Sequence, residues 1–235
     1  MVTMADAVAE NIAALRDEDW AIREEAATSL GLLRDDRAVE PLLVLLRDAD
    51  RAVRQAAIGA LTLIGEPAVP ALTACVLHPE AGVQEAAVGI LAHIGDHRSV
   101  PVLLQSLKSQ NWIVRSQAAK ALGRIGAAEA VPVLLPLLQD KVKAVRVEVG
   151  LALAQLGPAA LSELVEALKH SEWLVRLHAV ESLGKMKAPE AVEPLLYLLF
   201  NDPDAAVRED AVRALGEIGD ARATEFLLKV IDEPD

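Results

Sequence analysis

The residue types that ligate metals or act as nucleophiles are few in this chain, and their spacing suits neither task. His93 and His97 are four residues apart, as two metal ligands on one helical face would be. Gly95 and Asp96 lie between them and are expected to end the helix, so the two imidazoles lose the shared face. Cys75, the only cysteine, aligns with leucines of a recurring segment and is interpreted as a semi-buried small hydrophobe. Without a phosphate-binding glycine loop or a Ser/His/Asp arrangement, the sequence favours a non-catalytic protein with no metal and no cofactor.

A second kind of chemistry, the binding of an acidic partner, is suggested by the distribution of charge. The chain of 235 residues has a net charge of −12, but no Asp or Glu occurs between His97 and Ala128. That stretch carries a charge of +5, which leaves −17 for the rest of the chain. A basic centre on an acidic protein suits an acidic peptide, a protein patch or a ligand that bears carboxylates. Ordinary scatter of surface charge is the alternative. The five basic residues are Arg98, Lys108, Arg115, Lys120 and Arg124.

A pattern that occurs seven times along the chain positions these residues. One arginine recurs at steps of 30 to 32 residues, with Gln84 in the third copy. A fixed period of this length indicates a stacked array of supersecondary units, each of which buries surface only against its neighbours. The repeated arginines are Arg23, Arg54, Arg115, Arg146, Arg176 and Arg208.

Each copy predicts a helix of about four turns that begins near the arginine and ends at a glycine. Apolar residues one before and three, seven and ten after the arginine form one helical face, and the seventh is always leucine. The eighth residue is small, as in Gly31, which indicates close approach of a neighbouring helix. Glycine at the helix end suits the left-handed conformation of a C-cap. These glycines are Gly65, Gly95, Gly126, Gly157 and Gly219.

A second recurring segment predicts the other helix of each unit. It reads Ala-Val-Glu-Pro-Leu-Leu at 38–43, and several copies have proline in the first turn, where the missing N–H costs nothing. Pro136 falls inside its helix, which it should kink or split. The predicted fold is all-α, with seven helix pairs and a closing helix in one domain, 1–235. The repeats are expected at about 5–34, 36–65, 67–95, 97–126, 128–157, 158–187 and 189–219, with a capping helix at 221–233.

The two segments together resemble a known repeat family. The phrase Val-Arg-x-x-Ala-x-x-x-Leu-Gly-x-Ile-Gly, followed by Ala-Val-x-Pro-Leu-Leu, is similar over nearly the whole chain to the short HEAT-like repeat. It resembles in particular the subset found in E/F-type phycobilin lyases and in many bacterial and archaeal proteins. The resemblance implies a right-handed α-solenoid of HEAT-like helical hairpins, with the second helix of each pair on the concave side. The iron hydroxylases with HEAT-like repeats use repeated His-Glu pairs, which this sequence lacks, so that role is disfavoured.

The side of the second helices that faces away from the predicted core forms the candidate binding groove. Positions three before and one, five and nine after the arginine make a stripe along each of these helices. All three tryptophans occupy the first of these positions, and tryptophan contributes strongly to many protein interfaces. Packing over the preceding turn is the alternative role for these rings. The partner-binding residues predicted for the groove are Trp20, Trp112, Ser116, Lys120, Arg124, Lys143, Trp173, Leu177, Lys185 and Arg213.

The repeated arginine itself is expected to be structural, because it follows the period of the scaffold. Aspartate precedes it by six residues in four copies, as Asp17, Asp48, Asp140 and Asp202. A partly buried ladder that joins each arginine to an aspartate or to backbone carbonyls would hold neighbouring repeats together. Gln84 breaks this ladder, so the repeat around it is predicted to be the softest.

The sequence therefore predicts a non-catalytic scaffold that binds a protein or peptide with an acidic patch. The resemblance implies an alternative, a lyase-like or accessory protein that handles a bilin and has a phycobiliprotein as its partner. The net negative charge argues against nucleic acid or an anionic membrane as the partner. The longest apolar runs are too short to span a bilayer and the N-terminus lacks the pattern of a signal peptide, so the expected compartment is the cytoplasm.

Overall fold

Each repeat in the computed structural model is a pair of helices, and the structure describes residues 3–232. By their contacts the residues form two compact units, which divide after Ala121. The predicted all-α solenoid of seven helix pairs and a closing helix is confirmed. The first unit contains α1 (Met4–Ala14), α2 (Trp20–Leu33), α3 (Val39–Val44), α4 (Arg51–Ile64), α5 (Val69–Cys75), α6 (Ala81–Ile94) and α7 (Val100–Ser106). The division falls within α8 (Trp112–Ile125), and the second unit contains α9 (Val131–Leu134), α10 (Lys143–Leu156), α11 (Pro158–Ala167), α12 (Trp173–Met186), α13 (Val192–Asn201), α14 (Ala205–Ile218) and α15 (Ala221–Asp232).

The ends of the second helices are fixed by local hydrogen bonds and by left-handed residues. Asp19, Asp50 and Asp204 accept from the backbone N–H two residues on at 2.8–2.9 Å, which satisfies a donor that the helix leaves unpaired. The five glycines expected to end helices all have positive φ. Arg34 and Lys187 end their helices in the left-handed conformation without glycine, at φ of 51° and 54°, as Gly95 and Gly219 do with it. The helix ends predicted at glycines are thus confirmed.

The second helices pack side by side within each unit and bury the expected leucine face. In the first unit α2 contacts α4, and α4 contacts α6; in the second, α10 contacts α12, and α12 contacts α14. The small residue eight after the arginine allows this closeness, because a Cβ built on Gly31 would lie 2.6 Å from the Cα of Ala60. The buried leucines seven after the arginine are Leu30, Leu61, Leu91, Leu122, Leu153, Leu183 and Leu215.

The first helices are shorter and less regular. Pro136 splits its helix as predicted: α9 ends at Leu134, and a 3₁₀ segment continues over Leu135–Gln139 because proline cannot supply the N–H that an α-helix needs. The closing helix α15 covers the predicted 221–233 as far as Asp232, and residue 233 lies outside the described residues. Within residues 3–232 no single helix is long and apolar enough to cross a membrane, although α4 and the following 66–75 segment pass that test as a pair bent by 110°.

Candidate partner-binding surface

The side chain of the repeated arginine forms hydrogen bonds that link the second helix of its repeat to the turn before that helix. In the six arginine copies a guanidinium nitrogen donates to the carbonyl oxygen of the residue six positions earlier, at 2.6–2.9 Å. Gln84 keeps this bond without a charge, since its Nε2 donates to the carbonyl of His78 at 2.7 Å. The carbonyls at the end of each first helix thereby gain a donor. This interaction explains why the position repeats with the scaffold.

The carboxylate of the same turn pairs with the arginine of the preceding repeat. Nε and Nη2 of Arg23 donate to the two oxygens of Asp48 at 2.8 and 2.9 Å, and Arg176 holds Asp202 in the same way at 2.7 and 2.8 Å. The Arg176 and Asp202 side chains are only 9% and 1% exposed. Burial raises the pKa of Asp202, but hydrogen bonds from Arg176 and from the N–H of Asp204 outweigh it and hold that pKa below its ordinary value. These two-point ion pairs join consecutive repeats.

Three repeats have no aspartate in this turn. His78, Ser109 and His170 still accept from the backbone N–H two residues on, at 3.1, 3.2 and 3.0 Å. They preserve the turn, but they cannot offer a carboxylate to the preceding arginine. Among the described residues, Arg54, the arginine that precedes His78, donates only to two backbone carbonyls, at 2.6 and 2.9 Å.

In the second unit Arg146 donates instead to a buried histidine of the next repeat. Nε of Arg146 lies 3.1 Å from Nε2 of His178, and Nδ1 of that ring lies 2.7 Å from a carboxylate oxygen of Glu181. His178 is 4% exposed. Its hydrogen bond holds the pKa of Glu181 below the ordinary value. This network was not predicted from the sequence. The feature of the sequence that indicates it is His170, which occupies the position where other repeats have the aspartate that pairs with the preceding arginine.

The three tryptophans are the first residues of α2, α8 and α12. Trp20, Trp112 and Trp173 are 50%, 44% and 40% exposed, so none of them belongs to the core. A ring that is 40–50% exposed has apolar area available to a partner. Groove lining and local packing, the two roles considered from the sequence, are both compatible with this placement.

Four predicted site residues lie in the first unit. Trp112, Ser116 and Lys120 follow one another at helical spacing on α8, where Lys120 is exposed and Ser116 is half-buried. Trp20 lies on α2, and α4 and α6 come between that helix and α8. The structure therefore brings the three α8 residues onto one strip and leaves Trp20 apart from them.

The other six lie in the second unit, mostly on packed neighbours. Lys143 and Trp173 are the first residues of α10 and α12, which contact each other. Leu177 is half-buried one turn further along α12, and Lys185 is exposed near its end. The remaining members are Arg124 at the end of α8, which is exposed, and Arg213 on α14, which forms an ion pair with Asp210.

The stripe positions that follow Lys143 on α10 and Trp173 on α12 are partly apolar. Val147 and Leu151 on α10 and Leu177 on α12 are half-buried, whereas Gln155 and Glu181 are the next stripe residues of the two helices. The second unit thus presents a short aliphatic strip, with Lys143 at one end and with Glu181 and Lys185 at the other. This arrangement can bind apolar and acidic groups together.

A separate cavity lies on the side of the first helices in the second unit. It has a volume of about 630 Å³ and is lined by residues that include Pro136, Glu166 and His170. Pro136, at the split in α9, is one of these lining residues, and the sequence predicted the split but not the cavity.

The described residues contain no group of three or more His, Cys, Asp or Glu that could hold a metal ion. Cys75 is half-buried and free. Burial, and to a smaller extent the charge of Glu40, raises the pKa of its thiol, which makes the thiolate less available. His93 directs its Nδ1 to the carbonyl of Gly89 at 2.8 Å. These placements give no nucleophile and base in contact.

Stacked helix pairs, joined by repeated arginines, define an α-solenoid built from helical-hairpin repeats. The chain belongs to the HEAT-repeat family, whose model matches residues 8–91, 76–154, 100–168, 132–199 and 161–235.

Relatives within this family include subunits of bilin lyases. Phycocyanobilin lyase subunit alpha of Synechococcus elongatus (strain ATCC 33912 / PCC 7942 / FACHB-805) is 37% identical over 82 residues, which are 32% of this chain and 30% of that relative. The chain therefore matches less than a third of the length of this curated relative. A chain in the complex of CpcE and CpcF of phycocyanin lyase from Nostoc sp. PCC7120 is 27% identical, with 99% of this chain and 94% of that chain covered and a TM-score of 0.51. Importin beta, at 17% identity over 92% of this chain and 37% of its own, has a TM-score of 0.62 and shows the fold alone.

Proposed function

We propose that this protein is a non-catalytic scaffold whose second helices bind a protein or peptide with an acidic patch. The observation that carries the proposal is the surface of the second unit. Lys143 and Trp173 begin two packed helices, and Val147 and Leu177 follow them as half-buried aliphatic residues. Trp173 supplies a large ring that is 40% exposed, the kind of side chain that often dominates interface energy.

The charges on this surface favour a partner that carries carboxylates beside its apolar groups. Lys143, at the start of α10, and Lys185, near the end of α12, are both exposed, and the half-buried Glu181 lies one turn before Lys185. Exposed charges of this kind increase the association rate and select the partner more than they increase affinity. The apolar strip is then the main source of affinity, and the lysines determine which segment of the partner aligns with it.

The first experiment captures the partner from a lysate of the native host, identifies it and measures its affinity for the purified protein. A Trp112→Ala, Trp173→Ala double variant should bind at least about 30-fold more weakly, as expected when an interface loses a residue worth about 2 kcal/mol. Tyr197→Ala is the matched control, because it removes a 67% exposed ring from the first helix α13. Equal affinity of the double variant and the wild type would show that the tryptophans pack locally and that the partner binds elsewhere.

A second candidate function is the handling of a bilin, with a phycobiliprotein as the partner. The identity of 37% to a phycocyanobilin lyase subunit favours it. A tetrapyrrole with propionate groups would suit an exposed tryptophan near lysines, as at Trp173 and Lys143. A titration with a free bilin, followed by visible absorbance, tests this function. A spectral change that Trp173→Ala abolishes would support it, and an unchanged spectrum at saturating bilin would count against it.

A further inference from the structure

Arg54 lacks the carboxylate that Arg23 and Arg176 hold. In those two arginines Nε and Nη2 donate to an aspartate of the next repeat at 2.7–2.9 Å. The residue at that position for Arg54 is His78, whose imidazole Nδ1 accepts from a backbone N–H of its own turn. Nε and Nη2 of Arg54 have no hydrogen-bond or ion-pair partner within residues 3–232. One edge of this guanidinium is therefore unpaired.

Arg54 lines an open cavity on the second helices of the first unit. The cavity has a volume of about 420 Å³, and α4, α6 and α8 contribute to it. Two glycines form part of its wall, and the absence of their side chains leaves room: no described atom lies within 4 Å of a Cβ built on Gly82. Gln117 also lines the cavity, and its amide oxygen would lie 3.3 Å from a Cβ built on Gly89. Within residues 3–232 this oxygen is buried and has no hydrogen-bond partner, so the guanidinium edge of Arg54 is the polar group that the cavity offers to a ligand.

The unpaired edge of Arg54 specifies the chemistry of a ligand. The Nε and Nη2 edge of a guanidinium matches the two oxygens of a carboxylate, as the ion pair of Arg23 with Asp48 shows in the same unit. A peptide segment with an Asp or Glu side chain offers such a carboxylate, and the open cavity leaves room for the peptide around it.

We propose that Arg54 binds the carboxylate of an Asp or Glu in a partner's peptide segment, in the place of the aspartate that His78 replaces. This inference rests on the proposed function and deepens it, because it assigns the acidic partner a contact on the second helices of the first unit. Glu85 lines the same cavity, where its carboxylate accepts from Nδ2 of Asn111 at 2.6 Å. Its charge opposes an acidic ligand, so Glu85→Gln should strengthen binding.

The test is an NMR titration of the full chain with a capped peptide that contains two glutamates, beside the same peptide with two glutamines. The Nε–H signal of Arg54 should shift with the glutamate peptide only. Arg54→Gln should weaken binding of that peptide about tenfold or more. This variant should fold, because Gln84 already makes the equivalent carbonyl bond in the next repeat. Arg51→Gln, an exposed residue of the same helix, removes the same charge outside the cavity and should leave the affinity unchanged within about twofold.

His78→Asp supplies an internal partner for Arg54 and provides the second test. It should abolish peptide binding and raise the unfolding midpoint, because the new carboxylate then occupies the guanidinium edge. Wild-type affinity in Arg54→Gln or in His78→Asp would overturn the proposal. Equal affinity for acetate would also overturn it, since the site would then recognise a free carboxylate and not a peptide. The capture experiment with the tryptophan variants is read independently, so failure at Arg54 is distinguishable from failure of the proposed function.

Discussion

The coupling free energy between Arg176 and Asp202 should be large enough to measure in a double-mutant cycle. Other repeats of the chain show which residues can replace the two without disturbing the turn. Gln84 in the third repeat corresponds to Arg176, and Ser109 in the fourth repeat corresponds to Asp202. Both residues keep the local hydrogen bonds of the turn, at 2.7 and 3.2 Å. Arg176→Gln, Asp202→Ser and the double variant therefore remove charge while they preserve the turn. Each single variant leaves one charge without its partner, whereas the double variant leaves none.

The geometry sets the expected magnitudes. Asp202 receives two hydrogen bonds from Arg176, at 2.7 and 2.8 Å, and its side chain is 1% exposed. Removal of one partner from a buried pair costs about 3–5 kcal/mol, because the other charge stays buried. We expect Asp202→Ser to lie in that range, and the double variant to recover at least about 2 kcal/mol of the summed single losses.

Urea unfolding of the four proteins measures this coupling, provided that the m values agree. The equivalent cycle on Arg23 and Asp48 serves as a control. The side chains of that pair are 16% and 9% exposed, so its coupling should be smaller. Losses that simply add in the Arg176 and Asp202 cycle would refute the reasoning, since the two side chains would then contribute independently.

Four further outcomes follow from the structure. The free energy of unfolding should fall as the pH drops from about 4 through the lowered pKa of Asp202. Asp202→Asn should make the free energy of unfolding, measured in urea, less dependent on pH in that range. Gly31→Ala should destabilise by about 1–3 kcal/mol because its methyl would meet the α4 backbone at 2.6 Å, whereas Gly59→Ala, with nothing within 4 Å, should stabilise by about 0.5–1 kcal/mol in the same assay. Hydrogen exchange should find the repeat around Gln84 less protected than its neighbours, and equal protection would contradict this. Deletion of 221–235 should expose the last packed layer and promote association in light scattering, and an unchanged monomer with unchanged melting would argue against a capping role.

Local patterns in the sequence were sufficient to predict the helices. Asp19 and Gly65 mark a helix start and a helix end by hydrogen bonding and by backbone conformation, both of which act within a few residues. Gly31 predicted close helix packing because a small residue recurs at the same place on one helical face. Pro136 predicted the split in α9 because proline lacks an N–H wherever it stands.

The candidate surface could be predicted only in part. The offset from the repeated arginine predicted a shared helical strip for Trp112, Ser116 and Lys120, since helical spacing alone defines it. How far each ring is exposed, and that Leu177 lies half-buried, depend on neighbouring helices that are about 30 residues away in the chain. The network of His178 with Arg146 joins residues 32 apart; His170 indicates only that Arg146 lacks an aspartate, and the stacking of the helices decides that His178 takes its place.

The sequence by itself determined the period, the helix pairs and the recurrence of an arginine with an aspartate six residues before it. Tertiary structure decided which arginines form an ion pair with an aspartate, and with which one. Because the array is periodic, Asp48 is close in sequence to Arg54, yet stacking places its carboxylate against Arg23, 25 residues earlier. The physical reason is that Asp48 has two acceptors that face different repeats. Its backbone carbonyl accepts from the Arg54 guanidinium at 2.6 Å, and its carboxylate accepts from Arg23 of the preceding repeat. Within residues 3–232 the same stacking gives Arg54 no carboxylate partner, since the next repeat places His78 at that position.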